Sequence, residues 1–248
     1  LEGAVYEVRA AEDISTPDGT LRYSKGEVVD TITTSSDGFV KSKELYLGKY
    51  EVKEITAPYG MVVSGETHTV ELTYAGQNIS VTETSTSFYN ERQKVQVSLA
   101  KAIEKDKTFG IGDNGEIKNI SFGLYAAEDI VSASGKILIE KDTIIELKTT
   151  DESGWIHFMA DLPISAKYYL KEIYAPNGYV RGTETQEFTF EYQGDKTTQA
   201  VYEFTFEDVQ TSVELSKADL TDGKELPGAS LQVLDSNGTV VEEMDFYR

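Results

Sequence analysis

The sequence predicts an all-β chain of tandem Greek-key β-sandwiches, on three observations. Apolar and polar residues alternate at period two, turn signals punctuate those runs, and one long block of sequence is repeated. The alternation is plain in Val95, Val97 and Leu99, in Phe188, Phe190 and Tyr192, and in Tyr202, Phe204 and Phe206. That spacing puts every second side chain on one face of a strand. Pro17-Asp18-Gly19, Asp37-Gly38 and Asn177-Gly178 supply the turns. No stretch shows helical period, and abundant Thr, Val and Tyr suit a pleated, half-buried surface.

The repeat organises the chain. Ala10-Ala11-Glu12-Asp13-Ile14 recurs as Ala126-Ala127-Glu128-Asp129-Ile130, and Asp37-Gly38-Phe39 is echoed by Ser153-Gly154-Trp155, both at an offset of 116. Lys53-Glu54-Ile55 then matches Lys171-Glu172-Ile173, and Ala57-Pro58 matches Ala175-Pro176, at an offset of 118. The shift of two marks one loop of different length. Val213 to Lys217 matches Val97 to Lys101, so a third copy begins near the end. The expected division is 1–93, a copy lacking its first strand; 94–210, a complete copy; and 211–248, the start of a third. Both ends read as cut from something longer.

Composition narrows the partners. Lys and Arg number 23 against 43 Asp and Glu, a formal net charge of −20. A surface this acidic repels phosphate backbones and anionic lipid, so no nucleic-acid partner is expected. No run of apolar residues is long enough to cross a bilayer as a helix, so no membrane insertion is expected of this segment. The absence of cysteine removes disulfides, thiolate metal sites and thiol nucleophiles together. His68 and His157 occupy non-equivalent positions and read as ordinary strand residues. The Asp106–Glu116 stretch lacks EF-hand spacing and reads as a polar loop. No metal and no cofactor are expected.

The chemically loaded positions lie on the apolar faces. Glu54 continues the face of Tyr50 and Val52, and Glu172 that of Tyr168 and Leu170. Either each glutamate is ion-paired at a solvated strand end, or it points inward and must neutralise or find a partner. Lys101 and Lys217 likewise extend Val97-x-Leu99 and Val213-x-Leu215. Asn90 and Asp208 follow Phe88 and Phe206 at the same spacing. Three inward polar groups per copy, on three strands, fit one cluster.

The order of Lys, a Tyr-x-Val/Leu-Lys-Glu-Ile-x-Ala-Pro box and Asn or Asp resembles the B-type repeats (Cna-B) of Gram-positive adhesins and the SpaA-like pilin domains. Gly123-Leu-Tyr-Ala-Ala-Glu-Asp129 and Ala175-Pro-Asn-Gly-Tyr179 strengthen the likeness, which spans essentially the whole chain. The resemblance implies an inverse-immunoglobulin, prealbumin-like sandwich displayed on the cell wall of a Gram-positive bacterium. It also implies a spontaneous isopeptide bond between Lys and Asn or Asp, catalysed by the Glu. Carried over, the second copy holds Lys101, Asp208 and the catalytic acid Glu172, with Asp where Asn is commoner. The first copy holds Glu54 and Asn90 without a lysine, and the third holds Lys217 without either partner.

Desolvation would favour a neutral, nucleophilic lysine amine and a protonated glutamate able to polarise the target carbonyl. The expectation is therefore a structural stalk rather than an enzyme with turnover, because such a cluster consumes its own side chains. Its expected partners are neighbouring repeats, with host extracellular-matrix protein engaged through other domains. The rival reading is an adhesin module that itself grips host matrix protein or glycan.

Overall fold

Alternating apolar residues become strands in both copies, and the described residues contain no helix. The computed structural model describes residues 1–78, 82–107, 110–132, 134–208, 218, 221, 223, 228, 230–234 and 237–245. They fall into two units, Leu1–Val209 and Gln210–Arg248. The expected strand residues Val213 and Leu215, with Lys217, lie outside the described residues.

In the first unit the early residues form β1 (Val5–Ala10), β2 (Ile14–Ser15), β3 (Leu21–Tyr23), β4 (Val28–Thr33), β5 (Gly48–Thr56) and β6 (Thr67–Leu72). The order β4-β1-β5-β6 makes one antiparallel sheet, and β2 and β3 form a small hairpin. Tyr6, Val8 and Ala10 of β1 and Tyr50 and Val52 of β5 are buried together on one face.

The second copy repeats this sheet and adds another. It comprises β7 (Lys94–Ile103), β8 (Ser121–Ala126), β9 (Ile130–Val131), β10 (Ile137–Ile139), β11 (Ile144–Thr149), β12 (Trp155–Phe158), β13 (Lys167–Tyr174), β14 (Thr185–Thr189) and β15 (Gln199–Asp208). The order β11-β8-β13-β14 matches β4-β1-β5-β6 strand for strand, and a three-stranded sheet, β12-β7-β15, faces it. Val97, Leu99 and Phe206 from the smaller sheet meet Phe122, Leu124, Tyr168 and Leu170 from the larger in one buried core. One pairing departs from the antiparallel expectation, because β15 runs parallel to β7.

The repeat extends to individual hydrogen bonds. Thr34 Oγ1 accepts from Ala4 N and donates to Leu1 O; Thr150 Oγ1 accepts from Ile120 N and donates to Ile117 O. Buried Tyr50 and Tyr168 each send their phenol to a nearby carbonyl, that of Tyr46 or of Pro163. The copies differ where β7 acts. Phe39 to Ser42 and residues 82–90, the counterparts of β12 and β15, form no strand. The closing strand expected through Phe88 and Asn90 does not form among the described residues 82–90. The second unit contains an antiparallel hairpin of β16 (Ser230–Leu234) and β17 (Val240–Asp245).

Thr150 is 2% exposed and satisfies a buried amide. Thr150→Val should therefore lower unfolding free energy by about 1–3 kcal/mol, the cost of stranding the Ile120 N–H. Urea denaturation of the two proteins measures that difference.

Candidate functional site

Lys101 on β7, Glu172 on β13 and Asp208 on β15 meet inside the second copy's sandwich. Their relative exposures are 5%, 0% and 3%. Two features of the sheets bring them together. The parallel register sets Phe206 beside Lys101, so Asp208 lies two residues further along the same inward face, within reach of a long lysine side chain. Across the core, Glu172 pairs with Phe122 on β8, and the Lys101 ammonium stands 5.7 Å from the centre of the Phe122 ring.

Lys101 Nζ is 2.6 Å from Asp208 Oδ1 and donates to Glu172 Oε2 at 3.3 Å. The Lys101–Asp208 approach has ion-pair distance without hydrogen-bond alignment, and neither Asp208 oxygen nor Glu172 Oε1 has a hydrogen-bond partner. The amine is thus placed against the carboxyl group without being locked to it. Burial is the main cause that pushes the Glu172 carboxyl up from 4.5 to about 7. Lys101 pulls it down, while the adjacent Asp208 pushes it up.

The backbone completes the site. Gly182 N donates to Glu172 Oε2 at 3.2 Å. A Cβ at residue 182 would stand 3.2 Å from that same oxygen, so glycine leaves room for the carboxylate. This amide was not legible from side-chain identity, because its twin in the first copy is Ser64. The recurrence of a strap after each Ala-Pro was the available signal.

The first copy holds the corresponding acid in a different state of completion. Glu54 is 1% exposed. Its Oε2 accepts from Ser64 N at 2.5 Å and from Asn90 Nδ2 at 2.7 Å, and Asn90 Nδ2 also donates to Val62 O at 3.0 Å. Glu54 Oε1 has no hydrogen-bond partner. Burial and then the nearby Glu54 charge push the Tyr6 phenol up to about 12. Glu54 and Asn90 are brought together as the sequence suggested, while Lys101 belongs to the other copy's cluster. Both glutamates point inward, so the solvated strand end is excluded. In both copies the β-ladder shifts register beside the glutamate, between Val5 and Tyr6 and between Glu172 and Tyr174.

Residues 1–87 and 102–203 match the SpaA prealbumin-like fold domain. The chain belongs to that family. This SpaA-type chain is 26% identical to the Bacillus anthracis TIE protein, with a TM-score of 0.53 over 98% of this chain and 38% of that one. It is 24% identical, over 145 residues, to the trypsin-resistant surface T6 protein of Streptococcus pyogenes serotype M6, covering 56% of this chain and 25% of the relative. A streptococcal ancillary pilin aligns over 85% of this chain and 58% of its own length at 21% identity, with a TM-score of 0.30. The SpaA-type chain thus spans well under half the length of the first two.

Folding raises the proton affinity of Glu172, so its stabilising contribution is complete below the unfolded value of 4.5 and is lost as pH rises through about 7. Unfolding free energy measured in urea across that window should fall more steeply in the wild type than in Glu172→Gln, where the group cannot titrate.

Proposed function

We propose that residues 1–93, 94–210 and 211–248 are successive stalk repeats of a cell-wall-anchored adhesin or pilin on a Gram-positive surface. An autocatalytic Lys101–Asp208 isopeptide bond stiffens the second. The observation that carries this reading is the 2.6 Å approach of Lys101 Nζ to Asp208 Oδ1 beside a buried, proton-retaining Glu172. The SpaA-type fold and the surface protein among the relatives support the location.

The step needs no co-reactant. The amine nitrogen of Lys101 attacks Asp208 Cγ, and an N–C bond forms as one C–O bond breaks. Two protons that begin on Nζ leave with that oxygen as water, starting from an ammonium and a carboxylate. Protonated Glu172, on turning its proton toward Asp208, polarises the carbonyl and relays those protons. The product amide is neutral, and Glu172 is regenerated. Because the nucleophile is consumed, the cluster turns over once.

The strand arrangement gives such a bond a mechanical role. Tension on the second copy enters at Lys94 on β7 and leaves at Asp208 on β15. A bond from Lys101 to Asp208 carries that tension directly between neighbouring strands, and residues 102–207 are bypassed. It also closes a long loop in the unfolded chain, which by analogy with a disulfide of that span stabilises the fold by about 4–5 kcal/mol.

A second reading, ligand binding by a sheet face, draws on Tyr125 and Tyr169. Their rings stack on the outer face at 4.9 Å and 3°. Saturable binding of a glycan or matrix protein that Tyr169→Ala abolishes would favour it over the stalk.

Intact mass under denaturing conditions tests the bond. Closure should lower the mass by one water, about 18 Da, on forming an amide from amine and carboxylate. Glu172→Ala and Lys101→Met should restore the full mass. A wild-type chain at full mass after prolonged incubation at neutral pH would refute the cross-link.

A further inference from the structure

The contact between the two copies converges on one short segment of the first. Ala57 N donates to Asp195 Oδ2 at 3.1 Å, and Val63 N donates to Asp195 O at 2.8 Å. Tyr192 OH donates to Met61 O at 2.8 Å, and its ring meets Tyr59 edge-on at 4.9 Å. Gln93, 1% exposed, fixes the loop that supplies these groups. Its Nε2 donates to Gly194 O and Thr197 O at 3.0 and 2.7 Å, and its Oε1 accepts from Gln193 N at 2.9 Å.

The same segment holds the first copy's cluster. Val62 O receives the Asn90 side-chain amide, and Ser64 N is bonded to Glu54 Oε2. Residues 57–64 are therefore a strap with second-copy groups bonded to its outer side and the Glu54–Asn90 pair bonded to its inner side.

We infer that the second copy positions the first copy's reactive pair through this strap, with Asp195 and Tyr192 as positioning residues. The role assigned to the pair rests on the cross-link reading; the strap geometry does not. An amide carbonyl presented to an amine, and an acid held beside it, must be placed within a fraction of an ångström to be productive. Backbone amides and carbonyls of a strandless segment cannot do that unless the segment itself is held; here residues 91–93 of the same copy hold one part of it and the neighbouring repeat holds the rest. The first copy's Glu54–Asn90 pair is thus positioned with the help of groups from the copy that follows it.

Hydrogen exchange in the full 248-residue chain tests this, read by NMR at Ser64 N and at the Asn90 side-chain amide. In Asp195→Ala combined with Tyr192→Phe, both positions should exchange roughly tenfold faster, the loss expected when the two side-chain bonds to the strap go while the Val63 N to Asp195 O bond stays. Amides of the β1–β5 ladder, such as Val8 and Val52, should keep wild-type rates. Tyr192→Phe alone, which removes only a hydroxyl, should move the two sites in the same direction by less. Asp195→Asn, which keeps a side-chain acceptor for Ala57 N, should restore them.

Wild-type exchange at Ser64 and Asn90 in the double variant would overturn the inference. So would an equal rise throughout the β1–β5 ladder, which marks general destabilisation. Intact mass of the same samples reads the Lys101–Asp208 bond separately, so failure of the cross-link reading is distinguishable from failure of the strap.

Discussion

Three ionisable side chains enclosed between two apolar sheets are the constraint on which the second copy depends. Water is excluded from Lys101, Glu172 and Asp208, so each must be compensated by the others, and removal of any one leaves buried charge behind. The compensation requires β7, β13 and β15 to hold a fixed register and spacing. Parallel pairing of β7 with β15 brings Asp208 alongside Lys101. The larger sheet brings Glu172 across the core, and Gly182 leaves room for its carboxylate. Apolar packing supplies most of the driving force for the sandwich, while the polar cluster selects one alignment of the sheets.

The first copy carries the same sequence pattern in a different arrangement. The sheet β4-β1-β5-β6 survives because its ladders are complete within themselves. Phe88 still packs on Tyr6 at 4.9 Å, as Phe206 packs on Phe122 at 4.9 Å. Side-chain packing is therefore retained where the backbone ladder is lost. Glu54 takes its hydrogen bonds from Ser64 N and Asn90 Nδ2 instead. One buried acid has thus been satisfied in two ways by two local environments.

The inward faces were legible because strand periodicity is a local property. A residue two places beyond Leu99 or Phe206 must share its direction, which is enough to place Lys101 and Asp208 in the core. The repeat then multiplied each weak signal, since Glu54 and Glu172 had to be explained together. Pairing partners were less legible. The parallel β7–β15 ladder joins residues far apart in sequence, and residues 82–90 carry the strand pattern without a partner to realise it. Least legible were contacts made by backbone atoms, such as Gly182 N on Glu172 and Asp195 O beneath Val63. Gln93 carried no periodic signal either; its burial follows from the joint between copies, which neither copy encodes alone.

The aspartate at 208 gives the second copy a different energetic problem from an asparagine. A lysine–aspartate pair places two opposite charges in the core, and their attraction stabilises the unreacted state as well as drawing the atoms together. The proposed cross-link would remove both charges at once, and with them the desolvation cost of holding them in the core. What remains is a neutral amide beside one carboxyl group. A Glu172 that kept its proton there would leave no net charge in the core. A neutral Glu172 would thus serve the proposed closed state as it would serve the bond-forming step, because an ionised Glu172 would have lost the ammonium that balanced it.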